Sequence, residues 1–270
     1  MKVNSDELKT YLDNLVEEYN NPRFIEDDPI SIPHQFSRLQ DREIIGFWVA
    51  MLSWGQRVTI INKAKELVGL MDGAPYDFIL NHEEKDRLRF SEFKHRTFQY
   101  TDTLYFLSFF QDYFRKHDSL EEAFAKGLSK EDEHVGGALA HFHNVFFALE
   151  FAPKRTRKHV ATPIRNSRCK RINMFLRWMV RQDDHGVDFG IWKKIKASQL
   201  LMPLDVHVER VGRALGLLQR KQVDWKAVLE LTAALKEFCP EDPVKYDYAL
   251  FGLGVLKKKD VPKLFRNAFR

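Results

Sequence analysis

Lys170 is a candidate nucleophile for covalent chemistry. It directly precedes the apolar stretch RINMFLRWMV, so it is expected in the first turn of a helix. Neighbouring Arg168 and Arg171, together with the positive end of that helix, would lower the pKa of the lysine and favour a neutral, nucleophilic amine. The alternative is an ordinary charged lysine on the protein surface.

A carboxylate, Asp205, opens a second apolar pattern in LMPLDVHVERVGRALGLL. Pro203 disfavours helix in the residue before it, and aspartate is a preferred N-cap. The apolar positions from Val208 to Leu218 then define a helix that begins near Asp205. On these grounds the side chain is a helix cap, which contributes about 1 kcal/mol. A cap position would also hold a catalytic carboxylate rigidly, so the two roles are compatible.

A basic segment, KRTRKHVATPIRNSRCKR at residues 154–171, precedes the Lys170 helix and contains no acidic residue. Pro163 blocks helix through its middle, so much of it is expected on a loop. Basic side chains near a helix start bind phosphate well, although a solvated basic loop would look the same. The residues expected to contact nucleic acid are Lys154, Arg155, Arg157, Lys158, Arg165, Asn166, Ser167, Arg168 and Arg171.

The composition narrows the class of protein. The 270 residues carry a net charge of +5, a mild indication of an anionic partner. Two cysteines, Cys169 and Cys239, are too few for a disulfide scaffold, a four-cysteine zinc site or a cysteine-ligated iron–sulfur cluster. Neither a signal peptide nor an apolar run near the ~20 residues of a membrane span is present. We therefore expect a cytoplasmic protein without a cofactor.

Helical periodicity dominates the whole chain, and strict alternation of apolar and polar residues is hard to find. The sequence therefore predicts an all-α fold, in which most of the aromatic residues are core. Residues 22–33 and 183–196 read as irregular segments between helices.

The order of these features resembles the helix–hairpin–helix DNA glycosylases, the superfamily of endonuclease III and 8-oxoguanine DNA glycosylase. In that comparison Lys170 matches the Schiff-base lysine, and Asp205 matches the catalytic aspartate of a family segment much like VDVHVERV, which reads LDVHVERV here. His207 and Arg210 also fall on positions where the family often has such residues. The resemblance implies a multi-helix, glycosylase-like fold, with two helical lobes flanking a cleft and a divergent hairpin. On this comparison, residues 1–270 are expected to form one unit, with approximate lobes at residues 36–150 and 151–256.

Weaker matches extend the resemblance over residues 40–256. LSWGQRVTIINKAKELV resembles a family segment whose polar residue fills the gap left by an extruded base, here Gln56, one place later than usual. HRTF at 95–98 and YDYALFGLGV at 246–255 are similar to later family elements. The aromatic residues that could stack on a flipped base, each also a candidate for the core, are Trp54, Phe98 and Trp178. His207 is a further candidate for the base pocket.

The hairpin departs from the family pattern. Where the family has GxG before the lysine, this chain has Asn166 and Arg168, and asparagine tolerates left-handed backbone better than arginine. The interval from Lys170 to Asp205 is also longer than in most members, and residues 183–196 are the expected insertion.

The resemblance implies a base-excision DNA glycosylase with abasic-site lyase activity on a damaged base, such as an oxidised purine. The expected partner is double-stranded DNA, bound by a monomer that does not associate with membranes and is nucleoid-associated in the cytoplasm. One alternative is a DNA-binding module of the same fold without catalysis. Another is a metal-dependent hydrolase, but its histidines and aspartates lack HExxH or comparable spacing, so no metal site is predicted.

Overall fold

The computed structural model describes residues 5–255, and throughout that range it is helical without a β-strand, which confirms the all-α prediction. Short 3₁₀ turns connect many of the helices. Residues 22–33, expected to be irregular, contain a short α-helix at Arg23–Glu26 and a 3₁₀ turn at Pro29–Ser31. The α-helices are α1 (Ser5–Tyr19), α2 (Arg23–Glu26), α3 (Leu39–Leu52), α4 (Arg57–Leu70), α5 (Pro75–Asn81), α6 (Tyr100–Phe114), α7 (Glu121–Ala125), α8 (Gly136–Phe146), α9 (Lys170–Val180), α10 (Val206–Ala214), α11 (Trp225–Lys236) and α12 (Tyr246–Val255). None of these helices is long and apolar enough to cross a membrane.

The chain divides into two compact units. Unit 1 comprises the described residues of Met1–Phe24, Asp132–Val135 and Pro163–Arg270, and unit 2 comprises Ile25–Glu131 and Gly136–Thr162. Helix α1 therefore belongs to the same unit as α9 to α12, although these helices are far apart in the sequence. Lys170 and Asp205 lie in the same unit, because the whole interval between them does.

Helix α12 is the centre of unit 1 and packs against both α1 and α10. Its sequence is apolar apart from Asp247, as expected for a helix covered on several sides. Glycine permits the close approach on the α1 side, since a Cβ on Gly252 would lie 2.4 Å from a ring carbon of Tyr19. The buried face of α1 consists of Leu8, Leu12, Leu15 and Val16.

A buried network of arginines and aspartates fixes the segment 183–196, which is a loop as predicted. Asp188 in this loop accepts hydrogen bonds from Nε of Arg177 at 3.2 Å and Nη1 of Arg181 at 3.2 Å. Arg181 also binds Asp242 through Nε at 2.8 Å. Because burial of unpaired charge is costly, these pairs hold the loop against α9.

Unit 2 has an aromatic core. Phe47 and Trp48 of α3 lie within 6 Å of the ring of Phe106 of α6, at centroid distances of 5.9 and 5.2 Å. Phe146 of α8 packs edge-on against Phe106 at 5.0 Å. Aromatic pairs of this kind gain about 1 kcal/mol beyond their buried area, so the cluster stabilises the core of unit 2.

Candidate functional site

Lys170 is the first residue of α9, where the sequence predicts it. Its side chain is half-buried rather than fully solvated. The preceding residue, Cys169, occupies the N-cap with left-handed backbone (φ 50°) and is buried. Burial raises the pKa of the Cys169 thiol to about 12, so a thiolate nucleophile is not available beside the lysine.

The turn before Lys170 contains two left-handed residues, but not at both positions that the family comparison suggests. Asn166 (φ 55°) is left-handed as expected, whereas the second such residue is Cys169 and not Arg168. The Asn166 side chain donates a hydrogen bond to Asp224 at 3.1 Å, and its carbonyl accepts one from the Trp225 amide at 3.2 Å. The turn is therefore tied to the start of α11, and arginine avoids a conformation that it adopts poorly.

Asp205 is the N-cap of α10, as its sequence context predicts. A single oxygen, Oδ1, accepts from the amides of His207 at 2.8 Å and Val208 at 2.9 Å. In the described part of the chain the other oxygen, Oδ2, has no hydrogen bond, and the side chain is half-buried. The cap therefore fixes the carboxylate while one oxygen stays available for another interaction.

Asp247 on α12 is a buried carboxyl group whose pKa depends on both Lys170 and Asp205. Burial raises the pKa of Asp247 to about 6, Arg177 opposes that rise, Asp205 adds to it and Lys170 also opposes it. Lys170 and Asp205 are thus both close enough to shift the pKa of one carboxyl group. Two charged groups separated by thirty-five positions in the sequence therefore both influence the pKa of a buried third group.

Arg177 holds Asp247 in place from α9. Its Nη1 donates to Oδ2 of Asp247 in a buried ion pair, and its guanidinium lies 4.5 Å from the ring centroid of Tyr248. Arg177 lies two turns after Lys170 on the same helix, so the ion pair also fixes the distance between α9 and α12.

His207 is fixed against the end of α12. Its Nδ1 lies 3.1 Å from the Gly254 carbonyl oxygen, which also accepts a hydrogen bond from Arg210. A carbonyl only accepts, so Nδ1 carries the proton and Nε2 of a neutral ring has a lone pair. The sequence suggests His207 for a base pocket. In the structure its hydrogen bond joins α10 to α12.

The basic segment belongs to both units, with residues 154–158 in unit 2 and residues 165–171 in unit 1. Arg155 is committed to the fold, because it donates to the buried Asp102 at 2.6 Å and to the Thr97 carbonyl at 3.1 Å. Arg157 lies over the ring of Phe147 at 4.8 Å. The remaining residues are exposed or half-buried: Lys154, Lys158, Arg165 and Asn166 are exposed, and Ser167, Arg168 and Arg171 are half-buried.

The aromatic candidates differ in exposure. Phe98 and Trp178 are fully buried, so both are part of the core, the alternative role that the sequence offered for them. Trp54 is half-buried, and its carbonyl oxygen lies 3.2 Å from Nε2 of His95. Gln56 is exposed at the residue before α4, and both Trp54 and Gln56 belong to unit 2.

Asp247 is the residue that the motif comparison does not single out. The signal was present in YDYALFGLGV, where one carboxylate interrupts a helix that is otherwise too apolar to face water. A charged residue in such a helix needs a buried partner, and here that partner is Arg177. Within residues 5–255, no group of three or more His, Cys, Asp or Glu side chains is arranged to hold a metal ion.

The fold and site define a helical protein in which Lys170, Asp205 and Asp247 belong to one compact unit. By family, the chain belongs to the proteins described as "Protein of unknown function (DUF2400)", whose model matches residues 28–256. No curated protein and no solved structure matches the chain significantly.

Proposed function

We propose that the protein is a DNA glycosylase with abasic-site lyase activity, in which Lys170 is the nucleophile and Asp205 stabilises positive charge on the sugar. One observation carries the proposal. Lys170 at the start of α9 and Asp205 at the cap of α10 lie in the same compact unit, and both act on the pKa of Asp247. A multi-helix, glycosylase-like fold is part of the same proposal.

The chemistry assigns one task to each group. A flipped nucleotide would present C1′ to the neutral Lys170 amine, whose lone pair forms the new bond as the base leaves with the electrons of the glycosidic bond and takes up a proton. The free Oδ2 of Asp205 stabilises the cationic sugar that develops. Ring opening gives the Schiff base, and loss of a C2′ proton then expels the 3′ phosphate.

The DNA would be bound through the exposed cations of the basic segment. Lys154, Lys158 and Arg165 are exposed, and Arg168 and Arg171 are half-buried next to the Lys170 turn. The proposed substrate is a damaged base, such as an oxidised purine, in double-stranded DNA. A monomer in the cytoplasm, associated with the nucleoid, completes the proposal.

Borohydride trapping tests the enzyme. A duplex that contains an abasic site or an oxidised purine is expected to give a covalent adduct that Lys170→Ala abolishes. Lys226→Ala is the matched control, because Lys226 is an exposed lysine that also lies in the first turn of a helix, α11. Loss of the adduct in both variants would contradict the assignment of Lys170.

Absence of trapping and of base release across a panel of lesions would overturn the enzymatic proposal. The second candidate, a DNA-binding module without catalysis, is favoured by the hairpin, which lacks both family glycines. In that case binding would remain steeply salt-dependent while no adduct forms, since each phosphate contact adds about 0.9 to the slope of log K against log salt.

A further inference from the structure

We propose that Phe151 stacks on a base of the bound DNA, beside phosphate contacts made by the basic residues 154–158. The inference rests on the proposed function for its partner alone, since neither Lys170 nor Asp205 takes part in it. Phe151 is 84% exposed, more than any other large apolar side chain in the described part of the chain. The ring therefore gains little from burial in the fold, and its faces are accessible to a partner.

The turn that carries Phe151 is closed and fixed on its N-terminal side. The Ala152 amide donates a hydrogen bond to the Leu149 carbonyl at 3.1 Å, which makes Phe151 the third residue of a tight turn. Before the turn, the ring of Phe147 stacks on the ring of Tyr105, a residue of α6, at a centroid distance of 5.6 Å. The chain thus enters the turn from the aromatic core of unit 2.

The residues after the turn are anchored to the same helix. Nη1 of Arg155 donates to Asp102 of α6 at 2.6 Å, and the Thr156 hydroxyl donates to the same carboxylate at 2.8 Å. Asp102 is fully buried, so water competes poorly for both bonds. Because the backbone on each side of Phe151 is already ordered, a partner that binds the ring loses less conformational entropy.

The charges that follow Phe151 in the sequence favour an anionic partner. Residues 151–158 contain no acidic side chain, and Glu150 is the one carboxylate directly before them. Lys154 is exposed and Arg157 is half-buried. Proteins that bind nucleic acid without reading its sequence combine such cations, which meet the phosphates, with an aromatic ring on which a base stacks.

Aromatic and basic side chains also occur together at membrane surfaces, but the turn favours DNA. Proteins that lie on a membrane bury a broad apolar face in it, whereas here a single large ring is exposed on a tight turn. A base needs only one ring, since a single stacked base accounts for about a tenfold difference in affinity. One protruding phenylalanine is therefore sufficient for stacking and insufficient for an anchor.

Titrations of a fluorescent DNA duplex that contains one unpaired base, at several salt concentrations, test the inference. Phe151→Ala is expected to weaken binding about tenfold at every salt concentration, with an unchanged slope of log K against log salt, because the ring carries no charge. Phe151→Trp is expected to keep the affinity, since an indole also stacks. Leu88→Ala is the matched control, because Leu88 is an apolar side chain of unit 2 that is 67% exposed.

The outcomes separate this inference from the proposed enzyme. Unchanged DNA affinity in Phe151→Ala, an equal loss in Leu88→Ala, or a reduced salt slope in Phe151→Ala overturns the stacking role. Binding to phosphatidylserine vesicles that Phe151→Ala abolishes, with DNA affinity unchanged, would assign the ring to a membrane instead. Absence of borohydride trapping together with the tenfold effect contradicts the glycosylase and supports the role of Phe151. Absence of DNA binding by the unmodified protein overturns both.

Discussion

Nδ1 of His207 lies 3.1 Å from the carbonyl oxygen of Gly254, which brings the first turn of α10 against the last turn of α12. The contact is so close that a Cβ added to Gly254 would lie 2.6 Å from the Cβ of His207. Asp205 binds the amide of the same histidine at 2.8 Å. The position of the capping carboxylate thus depends on a glycine at the end of α12.

Gly254→Ala is therefore expected to destabilise the protein by about 1–3 kcal/mol, the usual cost of overpacking, and to displace Asp205. Urea denaturation measures the first effect and borohydride trapping the second. Gly252→Ala is the matched control, since its Cβ would meet the Tyr19 ring at 2.4 Å on the α1 side of the same helix. Equal loss of trapping at equal stability in both variants would contradict a specific link to Asp205.

The two roles of Asp205 are separable by substitution. Asparagine keeps the acceptor oxygen that binds the His207 and Val208 amides but removes the charge. We expect Asp205→Asn to retain stability within about 0.5 kcal/mol and to lose base release, whereas Asp205→Ala also loses about 1 kcal/mol of stability. Full base release in Asp205→Asn would leave the residue as a cap only.

Part of this site could be predicted from the sequence because its signals are local. Lys170 precedes an apolar run and Asp205 follows a proline, so each helix start was readable from neighbouring residues. Asp247 was not readable in this way. Its importance depends on Arg177, which is seventy positions away, and ion pairs between distant helices leave no periodic trace.

Arg155 is a second residue whose ion-pair partner could not be predicted from the sequence. Charge alone suggests that Arg155 is a phosphate ligand, but it is paired with the buried carboxylate of Asp102. Burial raises the pKa of Asp102, but the nearby His159 and hydrogen bonds from the Gln99 amide and the Thr156 hydroxyl bring it below its ordinary value overall. We expect Arg155→Ala to cost about 3 kcal/mol, because it removes a partner from a buried carboxylate. Lys154→Ala is expected to leave stability unchanged and to reduce the salt slope of DNA binding by about 0.9.

Thermal or urea denaturation and titrations at several salt concentrations distinguish these two variants. A reduced salt slope in Arg155→Ala without loss of stability would mean that the arginine leaves Asp102 to bind DNA. An unchanged slope in Lys154→Ala would remove that lysine from the binding surface.

The pH dependence of stability provides a test of Asp247 that needs no substrate. Burial raises its pKa from 3.8 to about 6, so the folded state binds a proton more tightly than the unfolded state. Its contribution is therefore fully present below pH 4 and is lost as the pH rises through 6, by an amount on the order of 3 kcal/mol. Other groups titrate as well, and a comparison with Asp247→Asn removes their effects.

The free energy of unfolding of the unmodified protein minus that of Asp247→Asn should accordingly fall between pH 4 and pH 6 and stay constant above pH 7. Urea titrations at five pH values measure it. Parallel curves over the whole range would mean that Asp247 does not titrate in this window.

The two cysteines are expected to differ in reactivity. Cys169 is buried with a pKa raised to about 12, whereas Cys239 is only half-buried. Iodoacetamide at pH 8 should therefore modify Cys239 in the folded protein, and Cys169 only after denaturation. Rapid labelling of Cys169 in native buffer would show that the turn before Lys170 opens easily.

The sequence also predicted that the turn before Lys170 is unusual, but not how. A pattern of two glycines suggested left-handed backbone at residues 166 and 168, and the chain uses 166 and 169. The backbone conformation of this turn depends on tertiary contacts, because Asn166 is hydrogen-bonded to Asp224 and to the Trp225 amide at the start of α11. Such partners lie beyond the range of any local pattern.

The composition of unit 1 from separate segments has a consequence for synthesis of the chain. Unit 2 lies almost wholly between residues 25 and 162, so it can close before α9 to α12 have been translated. Helix α1, made first, must wait with its buried stripe of Leu8, Leu12, Leu15 and Val16 uncovered until α12 leaves the ribosome. During that interval the nascent chain presents an apolar helix that a chaperone could bind, and fusion partners that delay α12 would prolong the exposure.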